Sequence, residues 1–307
     1  MKEIKRMRRS ALYIPGHKRD LLEKGGKYKS DIVILCVEDG VPLHEKDQAR
    51  EGVCWALQNV NFGGAERVVR VNSLYNIGEY KEDIGYRDID EIVKYQPDAF
   101  VVAMVRSAED ILAAEEVMKS AEKRYGLPRG KVKIIPLIET ALAVRNVEEI
   151  AEASPRVIAL FFGAEDFTLD IDSYRTKTGE ELLYARSKVI IAARSVGIDV
   201  LDTPWGDYAD LKGLEKEAKL ARQLGFDGKQ VVSPKHIEIV HRIFTPLPEE
   251  MEKAEKVVAA YERGLSGEDS IVMLDREMIC PPVASRAYKV AEKAQRLRNT
   301  ENRERNK

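Results

Sequence analysis

Short apolar runs recur about every thirty residues along the chain, and a segment with helical spacing follows each. They are ALYIPG (11–16), DIVILCVED (31–39), ERVVRVN (66–72), DAFVVAMV (98–105), KVKIIPLIE (131–139), RVIALFFGAED (156–166), DVLDTPW (199–205) and QVVSPK (230–235). These runs are short and rich in β-branched or aromatic residues, which predicts strands buried on both faces. Between them the spacing becomes that of amphipathic helices. Ile111, Ala114, Val117 and Ala121 form one stripe that opens after Ser107 and stops at Gly126 and Pro128. Ala185, Val189, Ala193 and Val196 do the same ahead of Gly197, as do Leu211, Leu214, Ala218, Ala221 and Leu224 ahead of Gly225.

Eight such units in roughly 240 residues predict a (β/α)8 TIM barrel. A doubly wound open sheet is the alternative, but a dinucleotide fold of that kind calls for a glycine fingerprint after an early strand, and no GxGxxG occurs. The run TPLPEE, with Pro246 and Pro248, marks a boundary. The expected division is a barrel over 1–245 and a C-terminal helical extension over 246–307. That extension reads as a helix near 249–263, the stretch GLSGEDSIVMLDREMICPPV and a second helix with a polar tail. It is too short to fold alone, so it is expected to pack on the barrel or on a neighbouring subunit.

Composition narrows the class of function. Fifty Lys and Arg face 52 Asp and Glu, for a formal net charge of −2. That balance removes the electrostatic case for a nucleic-acid binder. Three cysteines without CxxC spacing favour a reducing, cytoplasmic setting. The basic N-terminus MKEIKRMRRS is not followed by a long apolar run, so neither a signal peptide nor a membrane span is expected.

In a barrel of this kind the chemistry sits at the C-terminal strand ends. The second run ends in Glu38-Asp39, the third in Arg70 and Asn72, the fifth in Glu139-Thr140 and the sixth in Glu165-Asp166. Glu139 and Asp166 come from consecutive strands and are the candidate metal ligands. Two carboxylates with no His or Cys nearby make an oxygen-only site suited to Mg2+ or Mn2+, with zinc disfavoured. The competing reading makes Asp166 a helix cap and pairs Glu139 with a cation. Arg70 is the candidate clamp for a substrate carboxylate, or else an internal partner of Glu38 or Asp39. Glu38 and Asp39 would orient Arg70 or act as the general base. His17 follows Pro15-Gly16 at the first strand end, which would let it face the barrel mouth, but a surface-loop position is the expectation. Arg8, Arg9, Lys18 and Arg19 either hold a phosphate-bearing handle or form a solvated charge run.

The segments RRSALYIPG, VEDGV, VRVN, LIETALAVRN, FFGAEDF and GFDGKQVVSP, in this order, resemble the citrate lyase β-subunit-like branch of the HpcH/HpaI aldolase family. The resemblance runs from about residue 8 to 290. It implies a (β/α)8 barrel, a homotrimer or homohexamer, and Mg2+-dependent making or breaking of a carbon–carbon bond in citramalyl-, malyl- or citryl-CoA thioesters, on CoA or a carrier protein. It places Glu139 and Asp166 at the metal-ligand positions, Arg70 at the substrate-carboxylate position, and Glu38 and Asp39 at the acidic pair beside it. Four positions depart from the family pattern. Cys36 stands where members have Asp, Met104 where they have Lys, and Ser233 where they have His. Cys280, in DREMICPPV, stands at the place of an acid/base Asp in the lid; a shifted alignment would offer Asp275 instead. The expected activity is a retro-Claisen lyase giving acetyl-CoA and a 2-keto acid. A pyruvate-type aldolase on non-thioester substrates and a non-catalytic barrel subunit are the alternatives.

Overall fold

A computed structural model describes residues 6–75, 84–265, 272–274 and 277–305. Eight parallel strands close into a barrel in sequence order: β1 Ser10–Pro15, β2 Ile32–Cys36, β3 Glu66–Val71, β4 Ala99–Val102, β5 Lys133–Ile138, β6 Ala159–Phe162, β7 Asp199–Asp202 and β8 Gly228–Val231. The (β/α)8 architecture predicted from the apolar runs is the one observed. Around the strands lie α1 Arg19–Leu22, α2 Lys46–Asn59, α3 Ile84–Ile92, α4 Ala108–Tyr125, α5 Ala141–Arg145, α6 Val147–Glu152, α7 Ala164–Asp170, α8 Leu183–Ser195, α9 Leu211–Leu224 and α10 Pro234–Phe244.

The interior of the barrel is packed solid, with Ile34, Val68, Val101, Ile135, Phe161 and Leu201 all fully buried. Because the strands are covered on both faces, alternation is absent from their sequences. Helix boundaries follow local chemistry. Ser107 and Asp110 form a capping box that opens α4, and Gly126 ends it in the left-handed conformation at φ +64°. Thr140 caps α5 by accepting from the Ala143 amide at 3.0 Å.

Chain contacts divide the molecule into a unit over Arg8–Arg242 and a second unit made of Met1–Met7 with Ile243–Lys307. In the second, α11 Pro248–Leu265 and α12 Pro281–Arg305 pack around Ala254, Val257, Ile279, Ala284 and Ala287. A short antiparallel pair, β9 Val272–Leu274 and β10 Glu277–Ile279, lies between them in sequence. Cys280 directly precedes α12 and is half-buried, while Asp275 lies outside the described residues. Among the described residues, no helix is long and apolar enough to cross a membrane.

Candidate active site

At the C-terminal end of the barrel, the chain between β2 and α2 is fixed by its own carbonyl groups. Lys46 Nζ donates to the carbonyls of Val37 (3.0 Å) and Glu38 (2.9 Å), and Asn72 Nδ2 donates to Val37 (3.0 Å). This holds Glu38 and Asp39 beside the end of β3, where Arg70 is the strand partner of Cys36. Nη1 of Arg70 lies 2.8 Å from Glu38 Oε2 and 3.5 Å from Asp39 Oδ2. Its Nε and Nη2 both donate to Cys36 Sγ at 3.3 Å, and its guanidinium carbon sits 4.7 Å above the Tyr13 ring. The ion pairing anticipated for Arg70 is thus present, shared with a sulfur and a ring that residue type did not announce.

Glu139 follows β5 directly and is 3% exposed. The amide of Met104 donates to its Oε1 at 2.6 Å. Met104 reaches that position with a left-handed backbone (φ +55°), a conformation costly for a residue with a side chain and characteristic of functional sites. The departure at Met104 therefore leaves a backbone donor where a side chain was expected to act. Gly163 passes so close that a Cβ there would lie 2.7 Å from Glu139 Oε2. Asp166 stands in the first turn of α7, whose N-cap is Gly163, so Asp166 is not the cap. Its carboxyl is close enough to that of Glu139 for the two to share a hydrogen bond when one is protonated.

The electrostatics are one-sided. Burial, reinforced by Glu38 and Asp166, holds the Glu139 carboxyl well above the usual carboxylate range. Burial also pushes Glu38 up to about 7 against the pull of Arg70, with Asp39 adding to the rise. Asp166 is raised by burial and by Asp39. Glu38 Oε2 is buried with no N–H directed at it, although Arg70 is near. Four carboxyl groups around one guanidinium leave a deficit of positive charge that a divalent cation would supply. Among the described residues no group of three His, Cys, Asp or Glu side chains converges as a complete metal cage. Two carboxylates, with water or substrate oxygens filling the other positions, fit Mg2+ and do not fit zinc.

Residues 9–234 match the sequence pattern described as HpcH/HpaI aldolase/citrate lyase, nearly the whole barrel just described. The chain belongs to the HpcH/HpaI aldolase/citrate lyase family. Within it, the chain is 37% identical over 285 residues to citrate lyase subunit beta of Leuconostoc mesenteroides subsp. cremoris, covering 93% of this chain and 92% of that protein. It is 31% identical over 265 residues to mitochondrial citramalyl-CoA lyase of Mus musculus, covering 83% and 76%. The fold is shared with protein CitE from Mycobacterium tuberculosis, solved in complex with magnesium, acetoacetate and coenzyme A. That match has a TM-score of 0.74 and 24% identity over 94% of this chain and 98% of the other.

Other expectations need correcting. Arg8 pairs with Glu66 (2.8 Å) and Asp199 (2.6 Å), and Arg9 with Asp31 (2.8 Å). Both precede β1, so the six residues of that strand, about 20 Å, separate them from Lys18 and Arg19 beyond its far end. The four form no single anion site. His17 is no surface histidine: its side chain is buried against Glu45 at 3.4 Å.

Proposed function

We propose that the chain is a Mg2+-dependent carbon–carbon lyase that cleaves a 3-hydroxyacyl thioester of the citramalyl-, malyl- or citryl-CoA type to acetyl-CoA and a 2-keto acid. The observation that carries this reading is the presence of a guanidinium, Arg70, with a buried Glu139 and a half-buried Asp166 at the same end of one barrel. In support, one relative is named a citramalyl-CoA lyase and another a citrate lyase subunit.

Held by Glu139 and Asp166, the ion would supply Lewis acidity toward the oxygens of an α-hydroxy-carboxylate. Arg70 would fix the carboxylate of that group and so orient the bond to be broken. The general base is assigned to the Glu38–Asp39 pair. Glu38, with its carboxyl near 7, is suited to take a proton at neutral pH. As the hydroxyl proton passes to this carboxylate, the hydroxyl carbon becomes the carbonyl of the 2-keto acid. The electron pair of the broken carbon–carbon bond moves into the thioester as its enolate. Protonation of the enolate carbon gives acetyl-CoA and closes the balance. A homotrimer or homohexamer belongs to the same reading and is checked by light scattering.

The test is incubation with Mg2+ and citramalyl-, malyl- or citryl-CoA, with acetyl-CoA followed by mass spectrometry. Release from one thioester, abolished by a chelator and by Glu139→Gln, is the expected result and names the keto acid. No release from any of the three, with Mg2+ still bound, overturns the thioester reading in favour of aldol cleavage of free keto acids.

A further inference from the structure

Arg70 offers five N–H groups in a planar fork, and the structure shows how several are already spent. Its side-on edge, Nε with Nη2, is the edge that most readily grips a carboxylate with two parallel bonds. Here both atoms donate to Cys36 Sγ at 3.3 Å. The same sulfur accepts the Glu38 amide at 3.4 Å and is 2% exposed, so three donors converge on one buried atom. One face of the guanidinium is taken by the Tyr13 ring at 4.7 Å, an attraction between cation and ring quadrupole.

Tyr13 is itself held in place. Its hydroxyl donates to Gln230 Oε1 at 2.6 Å. Burial keeps that hydroxyl protonated far above its ordinary range, as a donor must be. Gln230 is 1% exposed, and its Nε2 donates to the carbonyls of Phe162 (2.8 Å) and Asp202 (3.2 Å), the last residues of β6 and β7. Phe162 stands four residues before Asp166. A continuous line of contacts therefore runs from the guanidinium through Tyr13 and Gln230 to the strand end that carries Asp166.

We infer that Tyr13, Cys36 and Gln230 are positioning residues for Arg70, which leave the end of its fork, Nη1 with Nη2, to grip an incoming carboxylate in competition with Glu38. Cys36 sets the edge, Tyr13 sets the plane, and Gln230 ties that plane to the metal-binding half of the site. This rests on Arg70 being the carboxylate clamp, and the test separates the two claims.

The experiment is calorimetric titration of the full chain in Mg2+ with pyruvate, a small 2-keto acid, so that thioester turnover does not enter the readout. Arg70→Lys serves as the reference and is expected to weaken binding about 20-fold or more. Cys36→Ala and Tyr13→Leu are expected to weaken it about 5- to 20-fold. Cys36→Ser keeps an acceptor and is expected to bind within about threefold of wild type, while Tyr13→Phe, which keeps the ring face but loses the hydroxyl held by Gln230, is expected to fall between wild type and Tyr13→Leu. In turnover, the damaging pair should raise KM while kcat changes less. Wild-type binding by Cys36→Ala and Tyr13→Leu, with Arg70→Lys impaired, overturns the inference and leaves the clamp standing. Equal loss in Cys36→Ser and Cys36→Ala also overturns it, since the sulfur would then matter as volume. Wild-type binding by Arg70→Lys sinks the clamp and this inference with it. Circular dichroism melts accompany each variant. Should Cys36→Ala fail to fold, the contrast of Tyr13→Leu with Tyr13→Phe decides the matter: a difference supports the inference and its absence overturns it.

Discussion

Glu139 is buried beside two other acids, and its carboxyl is held in a form that water would not favour. Sites of this kind sacrifice stability for function. Glu139→Gln keeps the shape and removes the repulsion. In metal-free buffer we expect its melting temperature to rise by about 2–4 °C, the equivalent of roughly 1 kcal/mol for a domain of this size. Turnover is expected to fall by about 100-fold or more, because the proposed metal ligand and its charge are gone. Mg2+ should raise the melting temperature of wild type and not of the variant, by mass action on the folded state. Scanning calorimetry with and without chelator measures both, and a lower melting temperature for the metal-free variant would refute the account. At this scale the sequence was partly legible. Arg70, Glu38, Asp39, Glu139 and Asp166 are conspicuous because charges at the ends of apolar runs call for a reason. The roles of Cys36, Tyr13, Gln230 and the Met104 amide were not legible. They act through a sulfur, a ring face, a carboxamide and a backbone N–H, whose partners are set by strand register and φ, not by residue type.

The strands were readable as elements because fully buried strands leave continuous apolar runs, and each of the eight runs contains or overlaps an observed strand. The eighth was misplaced at its start. It begins at Gly228-Lys229, ahead of the apolar run, with Lys229 fully buried and its Nζ donating to Asp202 (2.8 Å) and Glu217 (2.6 Å). Arg186 from α8 completes this network with Asp202 (2.9 Å) and Glu217 (2.8 Å). Against the burial that would raise it, Arg186 and Lys229 hold the Asp202 carboxyl down to about 2. Truncating one member of such a cluster leaves buried charge uncompensated. Arg186→Ala is therefore expected to cost about 3–5 kcal/mol in urea unfolding, and a loss under 1 kcal/mol would refute this. The junction of β6 and α7 makes a second demand on an element. Its Gly163 has no room for a methyl group against Glu139. Gly163→Ala should destabilise the fold by about 1–3 kcal/mol, as overpacking does. It should also lower kcat at least about tenfold by displacing Glu139, the proposed metal ligand, in the manner of small misplacements at reacting centres. Stopped assays at saturating substrate read the second effect, and unchanged kcat would show that the carboxylate has space to yield.

Closure of the whole barrel brings the first strand against the last, and that seam carries a titratable group. His241 on α10 shares a hydrogen bond of 2.7 Å with Ser10 of β1, beside Asp31 at 3.6 Å and with Arg9 close by. Burial is the largest influence on it and pushes the imidazole down to about 4, against the opposing pull of Asp31. The sign of the consequence is fixed. Between the ordinary imidazole value of about 6.5 and about 4, the unfolded chain binds a proton that the folded protein refuses, so stability falls as pH falls through that window. The full shift corresponds to about 3 kcal/mol, with a slope approaching 1.4 kcal/mol per pH unit in its middle. Glu38 works in the opposite sense. Its carboxyl is raised to about 7, so it favours the folded state as pH falls. The total pH profile therefore mixes the two, and the informative quantity is the difference between wild type and His241→Gln. Glutamine keeps a hydrogen-bonding group and cannot take up the proton. Its stability relative to wild type should rise steadily from pH 7 to pH 4 and level off below, as read from urea unfolding followed by circular dichroism. A constant difference across that range would mean that the seam does not exclude the proton. Acid weakening of the barrel would then have to be sought in the carboxylates paired across its layers, Asp202 first, whose contribution is lost only as pH falls from about 4 toward 2.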